Sequence, residues 1–294
     1  MRFMQLQGDY THRLGDIRKA RIYQDSLVFY SKALEQVDVT PAAGALPARW
    51  FIPAGAADDA VVFYLHGGGY VYYTRMHNNI LALVAQAAGL PLLAPDYRLA
   101  PEHHFPAQIE DALASYRWLL GNGDPPNRII IAGDSAGGNL VLALLVKLKA
   151  TGEPMPAGAI CIAPWTDMGN GGKSMTENEL YDLIDMRSAE LWSGWYCGGA
   201  NPRDPRISPD PAGMVGMPPV YIQVGTADIL IDQVREFCLR SREAGADVRL
   251  DVWDNMPHDF QGYGEDLPES GEALEKIGKF IRELLNTRVQ NEPG

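Results

Sequence analysis

Residues 128–145 read Arg128-Ile129-Ile130-Ile131-Ala132-Gly133-Asp134-Ser135-Ala136-Gly137-Gly138-Asn139-Leu140-Val141-Leu142-Ala143-Leu144-Leu145, and their pattern decides the fold. Residues 128–132 are short, apolar and β-branched, the signature of a buried strand. From Gly138 onward the run is that of an apolar helix. Between them stands G-x-S-x-G. A serine on so tight a strand-to-helix turn is held in strained backbone geometry, and its Oγ is presented above the sheet. The flanking glycines lack Cβ atoms, so strand and helix can approach closely. G-x-S-x-G also occurs in turns without chemistry, but the strand before it and the helix after it point to Ser135 as a nucleophile.

Working outward, Val61-Val62-Phe63-Tyr64-Leu65 is a second buried-strand run, and it ends in His66-Gly67-Gly68-Gly69-Tyr70. When a serine attacks a carbonyl, the oxygen gains negative charge, and backbone N–H donors must already point at it. A glycine loop of this kind supplies such donors, and the N–H of the residue after the nucleophile, Ala136, supplies another. A phosphate-binding loop fits poorly, because there is no G-x-x-x-x-G-K-[ST] and no dinucleotide fingerprint. His66 at the strand end reads as a brace for the loop, not as a base.

Further strand runs fall at 90–94, 128–132, 158–163, 219–224 and 247–253, with helical patterns between them. This alternation gives a parallel sheet covered on both faces. Residues 35–39 and 48–52 read as antiparallel entry strands. The patterns Ile109, Ala112, Leu113, Tyr116, Leu120 and Leu274, Ile277, Ile281, Leu284 follow helical spacing. The expected architecture is α/β, a mostly parallel eight-stranded sheet flanked by helices, with a helical cap.

A base and an acid should follow the nucleophile in the order Ser, Asp or Glu, His. Of six histidines (His12, His66, His77, His103, His104, His258), only His258 lies in the C-terminal third, in a loop after a strand. The acid should follow the preceding strand, and Asp228 does. Its carboxylate would hold one imidazole nitrogen and stabilise the imidazolium. Asp232 competes, although a carboxylate at a helix start also favours the helix dipole. His103 and His104 lack metal-ligand spacing.

Together these motifs resemble the hormone-sensitive-lipase-like family of bacterial esterases, in its GDSAG subgroup. The resemblance runs through HGGGY at 66–70, Asp96-Tyr97-Arg98-Leu99-Ala100-Pro101-Glu102, GDSAGG at 133–138, Asp228-Ile229-Leu230-Ile231-Asp232 and Met256-Pro257-His258-Asp259-Phe260. It implies an α/β-hydrolase core (41–167 and 207–294) and a helical cap (1–40 and 168–206). It also implies cofactor-free and metal-free hydrolysis of short- to medium-chain esters. The implied oxyanion donors are Gly68 and Gly69, joined by Ala136. The candidate substrate-binding residues are Tyr70, Trp192, Trp195 and Tyr196, although packing between cap and core is the first reading for each and substrate lining the second. Ile17, Ile22, Tyr23, Leu27 and Val28 would bury the helical stretch at 9–34. Arg98 would bridge to Glu102 or Asp134. An amidase or deacetylase with the same triad is the alternative activity. A receptor-like binding module is disfavoured because Ser135, Asp228 and His258 are all present.

Composition agrees: 294 residues, 46% hydrophobic, are enough for a sizeable core. A net charge of −12 argues against nucleic-acid and anionic-membrane partners. The expected partner is a small ester, and a homodimer is compatible with the chain. Three widely spaced cysteines and the lack of an apolar leader-type segment point to the cytoplasm.

Overall fold

The computed structural model describes residues 17–26, 32–75 and 77–289. Two strands, β1 (Val37–Ala43) and β2 (Pro47–Pro53), form an antiparallel hairpin, and β2 pairs antiparallel with β4 (Leu92–Pro95). The parallel part follows with β3 (Val61–Leu65), β5 (Ile129–Asp134), β6 (Gly158–Ile162), β7 (Val220–Gly225) and β8 (Val248–Trp253). The sheet order is β1-β2-β4-β3-β5-β6-β7-β8.

The parallel strands sit where the apolar runs placed them, for a simple reason. Strands covered on both faces need apolar residues at every position. In β3 and β5 every residue is buried. Alternate residues feed opposite cores. Phe63, Leu65, Ile129 and Ile131 pack with helices α4 (Ala107–Gly121) and α5 (Ser135–Thr151). Val62, Tyr64, Ile130 and Ala132 pack with α3 (His77–Ala88) and α9 (Pro268–Val289), including Leu274, Ile277, Ile281 and Leu284. Between β7 and β8 runs α8 (Ile231–Glu243).

Outside the sheet lie α1 (Ile17–Ser26), the short α2 (Lys32–Glu35), and the segment after β6, which carries α6 (Ser174–Glu177) and α7 (Met186–Cys197). In α1, Ala20 is buried and Ile17 packs against the core. Ile22, expected to be buried, is 72% exposed. Two residues on from Ala20, about 200° around the helix, it projects from the opposite face. The helix is held by Arg21, which donates to Glu102 and to the carbonyls of Val71 and Ala100, each at 2.8 Å. Leu27, Val28 and His12 lie outside the described residues. No helix among those described is long and apolar enough to cross a membrane.

Candidate active site

Ser135 is the first residue of α5, and its φ is +52°. The left-handed region costs a residue with a Cβ about 1–2 kcal/mol. The turn is tight because α5 starts against the end of β3: a Cβ on Gly137 would be driven into the Leu65 carbonyl. Leu65 pairs with Gly133 in the sheet, so the glycine loop lies beside the serine turn. Asp134 ties the two together, accepting from the Gly67 N–H at 3.0 Å and the Tyr64 hydroxyl at 2.9 Å. Gly68 and Gly69 have φ of +96° and +61°. Among the described residues their N–H groups donate to no backbone acceptor. The Ala136 N–H sits in the first turn of α5, where helices leave donors free. The glycine loop and the first turn of α5 thus lie side by side, with Gly69 and Ser135 on the wall of one pocket.

His66 braces this loop. Its Nδ1 donates to the Gly67 carbonyl at 2.7 Å. Its ring is sandwiched between Tyr73 and Tyr97 at 3.8 and 4.1 Å. Burial holds its pKa well below the ordinary histidine range. Arg98 pairs with neither Glu102 nor Asp134. Its guanidinium grips Asp111 on α4, with contacts from 2.7 to 3.0 Å. Glu102 is taken by Arg21 and Asp134 by the glycine loop, so the expected bridge is replaced by a local one.

β7 and β8 end side by side, with Gly225 opposite Trp253. The loops that follow bring Asp228 and His258 together, with Nδ1 of His258 2.9 Å from Oδ2 of Asp228 and both side chains buried. Asp228 Oδ1 accepts from the Leu230 N–H at 2.7 Å, which fixes the carboxylate. Nε2, the nitrogen that serves as base in such a pair, makes no hydrogen bond, and Asp259 Oδ2 stands 3.2 Å from it. Burial disfavours the charged ring, but the carboxylates of Asp259, Asp228 and Asp182 outweigh it and hold His258 well above the ordinary histidine range. Burial and the neighbouring acids push the Asp259 carboxyl up. Asp232 is turned elsewhere: its Oδ2 accepts from the Ser174 N–H at 3.0 Å.

Asp182 belongs to the segment between α6 and α7, and no spacing rule singled it out. Its ligating atoms and those of Asp228 and His258 lie within 4.8 Å of one another. Each oxygen of the two carboxylates is committed: Asp182 to the N–H groups of Leu183 and Ile229, both at 2.5 Å, and Asp228 to Leu230 and His258. These hydrogen bonds tie the three side chains into one set.

A pocket of about 230 Å³, mouth included, opens over Ser135 and Gly69. Its other walls are Trp165, Ile184, Ala189, Trp192, Ile229 and Leu230. Of the four aromatic residues expected to bind substrate, Trp192 alone lines it. Tyr70 is buried against Tyr196, ring on ring at 3.8 Å, and donates to Asn139 Oδ1 at 2.6 Å. Trp195 is half-buried, and its carbonyl accepts from His104 Nδ1 at 2.6 Å. Tyr70 and Tyr196 join the glycine loop to α7, and Trp195 ties α7 to the loop at His104 instead. Ile229 and Leu230 adjoin Asp228 in sequence, a nearness that could have flagged them.

A serine on a strained turn, an Asp–His pair and free N–H donors on an α/β sheet define a serine hydrolase. Residues 62–262 match the alpha/beta hydrolase fold family. An acetyl-hydrolase of Streptomyces hygroscopicus is 37% identical, covering 92% of this chain and 91% of its own. An ethyl acetate hydrolase of Pseudomonas putida is 32% identical over 82% of this chain and 79% of its own. The crystal structure of an esterase from the bacterial hormone-sensitive lipase family superposes with a TM-score of 0.86 at 41% identity, over 92% of each chain. The chain belongs to that family of α/β hydrolases and is a carboxylic ester hydrolase.

Proposed function

We propose that this chain is a serine carboxylesterase for short-chain acyl esters, acetates foremost, with Ser135, Asp228 and His258 as its triad. The observation that carries the assignment is the buried His258–Asp228 contact of 2.9 Å at the same sheet end as a serine with φ of +52°. His258 takes the Ser135 proton as Oγ attacks the ester carbonyl. Gly68, Gly69 and Ala136 hold the oxyanion, and one such donor is worth ~3 kcal/mol of barrier. The alcohol leaves with the proton from His258, and water activated by the same imidazole frees the acid.

The names of the relatives, an acetyl-hydrolase and an ethyl acetate hydrolase, support short acyl groups. Segment 168–206 and the N-terminal helix act as a cap, a role supported by Trp192 and Ile184 in the pocket wall. Three buried free cysteines support a reducing, cytoplasmic setting, and the acidic charge supports a small-molecule rather than a nucleic-acid partner. The test is hydrolysis of p-nitrophenyl esters from acetate to laurate. Turnover should peak at short chains and vanish in Ser135→Ala. Full turnover by that variant would overturn the nucleophile assignment.

A further inference from the structure

We propose that Asp182 is a positioning residue for ester hydrolysis: from outside the sheet it holds the loop bearing Asp228 and presents a second carboxylate to the Asp228–His258 pair. The proposal rests on the triad reading above.

Three side chains four residues apart clasp that loop. Ser174 Oγ donates to the Ile229 carbonyl at 2.7 Å. Asn178 Nδ2 donates to the carbonyls of Thr226 and Asp228 at 3.1 and 2.8 Å. Asp182 Oδ2 accepts from the Ile229 N–H at 2.5 Å. The backbone on both sides of the catalytic acid is thus fixed from one segment. A clasp needs only neutral groups, as Ser174 and Asn178 illustrate. Asp182 is different. A carboxylate only 4% exposed is costly to bury unless its charge is used or neutralised. This one sits beside the imidazole that must become positive during the reaction.

The groups around it are Asp228 after β7, His258 and Asp259 after β8, and Tyr263 in the following turn, with Asp134 beyond them at the end of β5. Glu179, on Asp182's own segment, is occupied by the Met186 N–H. Burial and the Asp228 carboxylate push Asp182 up to about 7, so it carries its charge above that pH. Above that pH two acids steady the imidazolium.

The experiment follows p-nitrophenyl acetate hydrolysis by the full chain from about pH 5 to 9. Asp182→Asn keeps an acceptor for Ile229 but removes the charge. Its kcat/KM acid limb should move to lower pH by roughly half a unit or more. Its kcat should fall roughly tenfold, with KM within about twofold. Asp182→Glu restores the charge and should hold the limb at the wild-type position even if the clasp loosens. Ser174→Ala weakens the clasp without touching the charge, so its thermal midpoint should drop while its limb stays. An Asp182→Asn limb that overlays the wild type, or equal shifts in the Asn and Glu variants, would overturn the proposal and leave the triad standing. Turnover surviving in Ser135→Ala would instead remove the triad reading beneath it.

Discussion

Replacing Ser135 with glycine should destroy activity and stabilise the protein. The φ of +52° costs a residue with a Cβ about 1–2 kcal/mol. Glycine escapes that cost but gives the unfolded chain more freedom, worth about 0.4–1 kcal/mol. The difference leaves a net gain of about 0.5–1 kcal/mol. Ser135→Ala is the matched control: it loses the same Oγ but keeps the Cβ and therefore the strain. The lost atoms face the pocket, so neither variant opens a sealed cavity. With ~2.1 cal/mol/K of unfolding entropy per residue, 294 residues give roughly 0.6 kcal/mol/K. The glycine variant should therefore unfold about 1–2 °C above the alanine variant by calorimetry. Both should lose turnover of p-nitrophenyl acetate by about a millionfold. A glycine variant melting at or below the alanine variant would refute the claim that the turn stores strain.

Four further outcomes follow from the site. Asp228→Asn should lower kcat by about 10⁴ by mis-setting the imidazole tautomer, whereas Asp232→Asn should leave kcat within about tenfold and act on the thermal midpoint. Because neighbouring carboxylates raise His258, and the base must be neutral, activity should rise with pH through a limb above about 6.5, read from kcat/KM profiles. A limb below that value would contradict the charge arrangement. Gly69→Ala puts a Cβ 2.5 Å from Trp192 Cε3 and turns the loop; kcat should fall about 10²–10³, while esterolysis stays measurable. Trp192→Ala should shift the preferred acyl chain longer in the acetate-to-laurate series, and an unchanged optimum would place the acyl group elsewhere.

The sheet was legible because its central strands are buried on both faces, so composition alone marks them at 61–65 and 128–132. The Ser135 turn and the glycine loop were legible because their chemistry restricts backbone conformation, and glycine placement records that restriction. The meeting of Asp228 and His258 was legible from chain order and strand ends, since parallel strands deliver their following loops to one edge. Tyr70 and Tyr196 were not legible as a stacked pair. An aromatic side chain beside a site has the same local sequence whether it faces substrate or a second ring. Arg98 failed for a related reason. Glu102 and Asp134 were nearby acids in sequence or motif, but Asp111 lies one helical face away, and that distance exists only after α4 has packed.

Asp182 escaped for a deeper reason. The bonds that tie its segment to the acid loop use backbone carbonyls and N–H groups at 226, 228 and 229, which every residue type offers. Such contacts leave no complementary pattern on the partner strand of sequence. What marks Asp182 is electrostatic: four carboxyls, Asp134, Asp182, Asp228 and Asp259, converge near one buried imidazole, and like charges so close cannot all ionise at once. The ring lowers the cost of that crowding by taking a proton, which favours the state reached in the transition state for acyl transfer. The same attraction would hold the proton too tightly at low pH and silence the base. On the proposed mechanism, the acids that stabilise the charged intermediate would thereby set the lower pH boundary of the reaction, and the segment that supplies Asp182 would share in setting it.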